Sequence, residues 1–161
     1  MKYPEWLRKY RGEAFGAFIC LALGMVSGLS ATASDYHWYS LLNHPFFTPP
    51  KGIFGPVWTI LYCMIGVVLT RLWRQRTTNP WPIKILLGHL ILNFAWSSLF
   101  FHYHRIDLAF YDLLCLWMSL VVLIVLIKKD RFLLTILLIY GGWISFALIL
   151  NGWFYLFNLP V

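Results

Sequence analysis

The chain has 161 residues, of which 60% are hydrophobic and 12% charged, with a mean hydropathy of +0.69. One water-soluble domain of this size cannot hide that much apolar side chain, so the composition excludes an ordinary soluble enzyme and points to a polytopic membrane protein. The formal net charge of +7 would suit a nucleic-acid binder only if the basic residues clustered on one surface.

Five apolar runs are predicted as helices, at approximately 14–33, 53–72, 81–101, 106–127 and 132–157. Each is long enough to cross a hydrocarbon core of ~30 Å, and helices satisfy their own backbone groups there. The expectation is a single all-α domain over 1–161, a bundle of five transmembrane helices. The first run lacks a small-x-small cleavage site and reads as a retained helix rather than a signal peptide. Its Gly24-x-x-x-Gly28 pair permits close helix packing within the bundle.

The segment 34–52 is the one long connection and is expected to be a lid loop. Pro45, Pro49 and Pro50 restrict its backbone, and Trp38, Tyr39, Phe46 and Phe47 are expected at the membrane interface. The second helix then carries Trp58 and Tyr62 to a depth of roughly 8 and 14 Å below the lid, counting ~1.5 Å per residue. On the third helix His89, Asn93, Trp96 or Ser97, and Phe100 share a face. Asp112 on the fourth lies about 9 Å from the lid side by the same rise. Tyr140, Trp143, Ala147 and Asn151 share a face of the fifth. Polar and aromatic residues of four helices are thus expected to converge beneath the lid. Helix bracing accounts equally well for Asn93 and Asn151, and core filling for the tryptophans, while for Asp112 bracing stands slightly ahead of a functional role.

The charges divide by side. Lys2, Arg8, Lys9, Arg11, Arg71, Arg74, Arg76, Lys84, Lys128, Lys129 and Arg131 fall on one side of a five-span bundle, Lys51 and Arg105 on the other. Eleven against two is a positive-inside pattern, which makes the basic residues topology determinants and not a nucleic-acid patch. In a bacterial inner membrane the N-terminus would be cytoplasmic.

Little else carries chemistry. Cys20, Cys63 and Cys115 stand in different helices with no metal-ligand spacing. Of five histidines only His89 is well inside a helix, so two facing haem ligands are not on offer. No activated nucleophile or paired carboxylate is present, and no cofactor or metal site is predicted. The absence of an internal or inverted repeat weakens a secondary-transporter reading.

Four stretches in order carry a family likeness: "WY" at 38–39, "PPKGIFGPVWTILY" at 49–62, "LNFAWSSLFF" at 92–101 followed by Ala109 and Asp112, and Y-x-x-W-x-x-F-A-x-x-L-N from Tyr140 to Asn151. The chain resembles the translocator protein family, also called tryptophan-rich sensory proteins or peripheral-type benzodiazepine receptors. The resemblance implies a five-helix bundle, usually a homodimer, that binds tetrapyrroles such as protoporphyrin IX, sterols and isoquinoline- or benzodiazepine-type ligands under the loop after helix one. Carried over by position, the ligand-binding residues are Trp58, Tyr62, Asn93, Trp96, Trp143, Ala147 and Leu150, with Tyr39 in the lid. Bacterial members are linked to tetrapyrrole regulation and stress response.

The resemblance implies a membrane-embedded sensor or regulator that binds porphyrin, with no catalytic residue. Two alternatives need the same pocket: light-driven porphyrin breakdown, for which Trp58 and Trp143 would be the reactive pair, and transport of porphyrin or sterol. The expected location is a bacterial cell membrane, with the outer membrane the alternative. The chain departs from the family where Phe46–Phe47 replace a lid tryptophan, Ile139 replaces a proline and Leu108 stands at a frequent tryptophan position. It also lacks a basic residue after Tyr155, so the proposed cholesterol-recognition pattern is missing.

Overall fold

A computed structural model describes residues 5–28 and 33–158. They form six helices: α1 (Glu5–Gly28), α2 (Ala33–Leu41), α3 (Lys51–Gln75), α4 (Trp81–Ser97), α5 (Ile106–Ile127) and α6 (Arg131–Asn158). A π-helical turn, Ser98–His102, continues α4. No strand occurs among the described residues. The four elements α3, α4 with its π turn, α5 and α6 are each long and apolar enough to span a membrane.

Packing follows the heptad-like spacing of large aliphatics. Leu61, Ile65, Val68 and Leu72 line one face of α3, and Leu113, Leu116, Leu120, Leu123 and Ile127 one face of α5. Both meet Leu133, Leu137, Tyr140 and Ile144 of α6 in the core. Residues such as Ile91, Val125 and Ile149 point outward, the arrangement expected when lipid rather than water is the surrounding solvent.

α1 lies chiefly against α3, while α4 packs on α5 and α5 on α6. The α1–α3 contact is built on glycine. A Cβ on Gly66 would strike the backbone of Gly16 and Ala17, and one on Gly16 would strike Gly66 and Thr70. Thr70 Oγ1 uses this closeness to donate toward the carbonyls of Gly12 and Gly66, at 3.0 and 3.1 Å. The predicted Gly24–Gly28 pair plays a different part, for Gly24 faces the ring of Tyr62.

The two ends of the bundle differ. At one, Arg71 Nε donates to Glu13 Oε1 at 2.9 Å while its guanidinium rests 3.9 Å above the Phe132 ring. Near it Asp130 caps α6, its Oδ1 accepting from the backbone N–H groups of Phe132 and Leu133 at 3.1 Å each. At the other, the Asn43 backbone N–H donates to Asn158 Oδ1 at 2.6 Å, tying the proline-rich segment to the end of α6.

Several sequence expectations are corrected. The first helix begins at Glu5, nine residues before the predicted start; Lys2 and residues 29–32, its expected last turn, lie outside the described residues. The expected lid loop is helical in its first half. α2 has nine residues, too few to be stable alone, and holds its form through tertiary contacts of Trp38 and Tyr39. Tyr39 is packed inward, 7% exposed, whereas Phe46 projects fully outward at 97%. The third predicted helix is not uniform but ends in the π turn, where Tyr103 N–H donates to the Ser98 carbonyl at 2.9 Å.

Candidate functional site

Beneath α2 and the segment leading into α3 lies a cavity of about 500 Å³. That volume is in the range of small-molecule sites. All eight residues singled out from sequence line it: Tyr39, Trp58, Tyr62, Asn93, Trp96, Trp143, Ala147 and Leu150. Their helices explain why. Trp58 and Tyr62 are four apart on α3 and stack at 5.4 Å, 27° between planes. Trp143 of α6 meets Trp58 edge to face at 6.4 Å. Trp96 of α4 stacks on Phe100 of the π turn at 5.4 Å. The extra residue per turn in that π segment accompanies a rotated register, in which Phe100 is buried beneath Tyr39.

The roof is fastened at two points. Trp38 of α2 stacks on His104 at 4.1 Å and 15°, and His104 Nε2 lies 3.1 Å from Asp35 Oδ1. His104 itself holds a left-handed backbone, φ 54°. At the other fastening, Asn158 Nδ2 donates back to the Asn43 carbonyl at 3.2 Å, and Phe47 sits edge-on to Phe146 and Trp153. Burial pushes the Tyr39 phenol above its ordinary pKa.

The cavity wall is apolar with a few placed polar groups. Lys51 at its rim is the only charged lining residue among those described. Trp96 Nε1 and both amide atoms of Asn151 are buried without a hydrogen-bond partner among the described residues, although Asn151 is 2% exposed. Buried polar atoms normally find partners, so these are the groups most in need of one.

From the wall a hydrogen-bonded series runs into the core. Tyr62 Oη donates to Asn93 Oδ1 at 2.9 Å, and Asn93 Nδ2 donates to Tyr140 Oη at 2.9 Å. Tyr140 Oη lies 2.9 Å from His89 Nε2, and His89 Nδ1 lies 2.8 Å from Ser119 Oγ. Ser119 Oγ donates to the Leu116 carbonyl at 2.7 Å. Asn93 therefore both lines the cavity and braces helices.

Two placements differ from expectation. Asp112 does not reach the cavity, and α5 contributes none of its lining; Asp112 Oδ2 is instead buried without a hydrogen-bond partner among the described residues. In its place α1 supplies a wall through Leu21, Gly24, Met25 and Ser27, and α2 adds Tyr36. The only sequence signal for α1 was its pair of small residues. Ser27 Oγ donates to the Phe94 carbonyl at 2.8 Å, which fixes α1 beside α4.

The fold and site define a helical, multi-pass membrane protein with an aromatic-walled cavity under a short capping helix. The TspO/MBR family profile matches residues 16–156, and the chain belongs to that family. It is 38% identical over 139 residues to the tryptophan-rich protein TspO of Archaeoglobus fulgidus, covering 86% of this chain and 91% of that one. The TspO of Chlorobaculum tepidum is 32% identical over 139 residues, 83% and 87% of the two chains. The translocator protein of Bos taurus is 30% identical over 116 residues, 69% and 66% of the two chains.

Proposed function

We propose that the protein binds tetrapyrroles, protoporphyrin IX among them, and other flat hydrophobic molecules in the cavity beneath α2, and that it acts as a sensor or regulator. The observation that carries this reading is the shared wall of Trp58, Tyr62, Trp96 and Trp143 around a volume of about 500 Å³. Indole and phenol rings offer a planar ligand broad apolar faces with few polar demands. In this reading α1 is the fifth span, lying along α3, and α2 with the proline-rich segment is the lid. The N-terminus is cytoplasmic in a bacterial cell membrane, following the charge asymmetry, and the protein pairs as a homodimer.

The edge-to-face pair of Trp58 and Trp143, 6.4 Å apart on this wall, favours a second reading in which bound porphyrin is broken down under light. Titration of the purified protein with protoporphyrin IX, in darkness and then under illumination, tests both. Saturable binding with unchanged pigment supports the sensor, and protein-dependent bleaching supports the photochemical enzyme. Movement of pigment across liposome membranes would instead favour a transporter, and no saturable binding would reject all three.

A further inference from the structure

The series from Tyr62 to Leu116 has a direction. Its last member, the Leu116 carbonyl, can only accept, so Ser119 Oγ gives its proton there across 2.7 Å. Ser119 must then accept from His89, which places the proton of a neutral imidazole on Nδ1 and leaves Nε2 with a lone pair. Tyr140 Oη donates to that lone pair, and its own oxygen accepts from Asn93 Nδ2. With its nitrogen turned to Tyr140, Asn93 presents Oδ1 to Tyr62, which donates to it. Reversing the series requires the other imidazole tautomer and a turned-over amide, and it surrenders the bond to the Leu116 carbonyl. His89 is 1% exposed and Asn93 4%, so no solvent compensates for that loss.

At the cavity the outcome is chemical. The Tyr62 proton is committed to Asn93, and what the phenol has left to offer is lone pairs. Resting on the ligand-binding reading above, we propose that His89 is a positioning residue that sets Tyr62 as a hydrogen-bond acceptor, so that the cavity selects flat apolar ligands carrying an N–H or O–H donor. In an apolar surround such a donor has no water to return to, and meeting it correctly discriminates more than added contact area does. Ser119, on α5 and outside the cavity wall, acts through His89 by anchoring its tautomer.

Three tricyclic probes of nearly one shape test this: carbazole, which donates through N–H; dibenzofuran, which only accepts; and fluorene, which does neither. Affinities for the detergent-solubilised protein are measured against partition into protein-free micelles. Carbazole is expected to bind about tenfold more tightly than the other two, the value of one well-made buried hydrogen bond. Tyr62→Phe should erase that preference, read as the ratio of carbazole to fluorene affinity within the variant. Ser119→Ala should reduce it at least about threefold, with fluorene unchanged, because loss of the anchor frees the imidazole to turn the series round. A general loosening of the bundle would lower all three affinities together and overturn the proposal. Equal binding of the probes by the parent protein, or a preference for dibenzofuran through Trp96 Nε1 or the second Asn93 N–H, overturns it too. An unchanged preference in Ser119→Ala removes His89 from the role. If no probe binds at all, the ligand-binding reading itself fails and the proposal with it.

Discussion

Trp58 and Trp143 meet edge to face across the cavity, ring centroids 6.4 Å apart and planes at 89°. One comes down α3 and the other up α6, so the pair closes the cavity between these two helices. Phe54 packs against Trp143 at 5.9 Å and holds its ring in place. Trp143→Phe keeps most of the apolar face, and porphyrin affinity should fall by about 1 kcal/mol, roughly fivefold. Quenching of tryptophan emission by bound porphyrin should fall with it. If the photochemical reading holds, light-driven pigment loss should drop much further than occupancy, because indole is easier to oxidise than a phenyl ring. An affinity that does not change would take Trp143 out of the ligand's reach.

The proline-rich segment restricts the roof. Pro50 sits at the start of α3 with φ −54°, a value its ring already prefers. Changing Pro49 and Pro50 together to Ala leaves every roof hydrogen bond available but raises the freedom of the open segment. At roughly 0.4–1 kcal/mol per proline, ligand affinity should weaken by about four- to thirtyfold. The melting temperature of the empty protein should move far less. An affinity equal to the parent's would show that the segment is not ordered by ligand.

Gly66→Ala should destabilise the protein by about 2 kcal/mol or more, since the added methyl meets the backbone of Ala17, which cannot step aside. Gly142→Ala is the control. Nothing lies within 4 Å of its added Cβ, and alanine is the better helix former, so stability should hold or rise. Thermal unfolding in detergent compares the two. Equal effects would mean that the α1–α3 contact contributes nothing through its closeness.

Orientation is read by labelling. In a variant with Cys20, Cys63 and Cys115 replaced, Ser34→Cys and Thr77→Cys place single exposed thiols at opposite ends of the bundle. A membrane-impermeant maleimide applied to whole cells should modify the first and spare the second. The opposite pattern would reverse the assigned orientation.

Much of this molecule is legible before any coordinates. α5 occupies 106–127 as predicted because Arg105 and Lys128 bound a run that is apolar but for Asp107 and Asp112. Spacing along α3, α4 and α6 brought Trp58, Tyr62, Asn93, Trp96, Trp143 and Ala147 to one cavity, since residues three and four apart share a helix face. What escaped was set by tertiary contact. α2 is too short to declare itself, and "SLFFH" carries no pattern that separates a π turn from an α turn. Counting residues gives depth along a helix but not rotation about its axis, so the count alone could not say that Asp112 stays off the cavity wall. Leu21 and Met25 look like any lipid-facing residues until Gly16 and Gly66 bring α1 against α3.

That glycine contact also makes a fulcrum. α1 and α3 touch at Gly16 and Gly66, and eight residues along α1 Gly24 faces the Tyr62 ring at the cavity wall. Eight residues of helix form a lever of about 12 Å, so a tilt of roughly 5° about the contact moves its far end by about 1 Å. Angular play between two helices thus becomes a change in the width of the slot, comparable to the difference between gripping and releasing the edge of a planar ring. Substitutions that stiffen or shift the fulcrum would retune which thicknesses the slot accepts from a distance of two helical turns, without altering any side chain that a ligand touches.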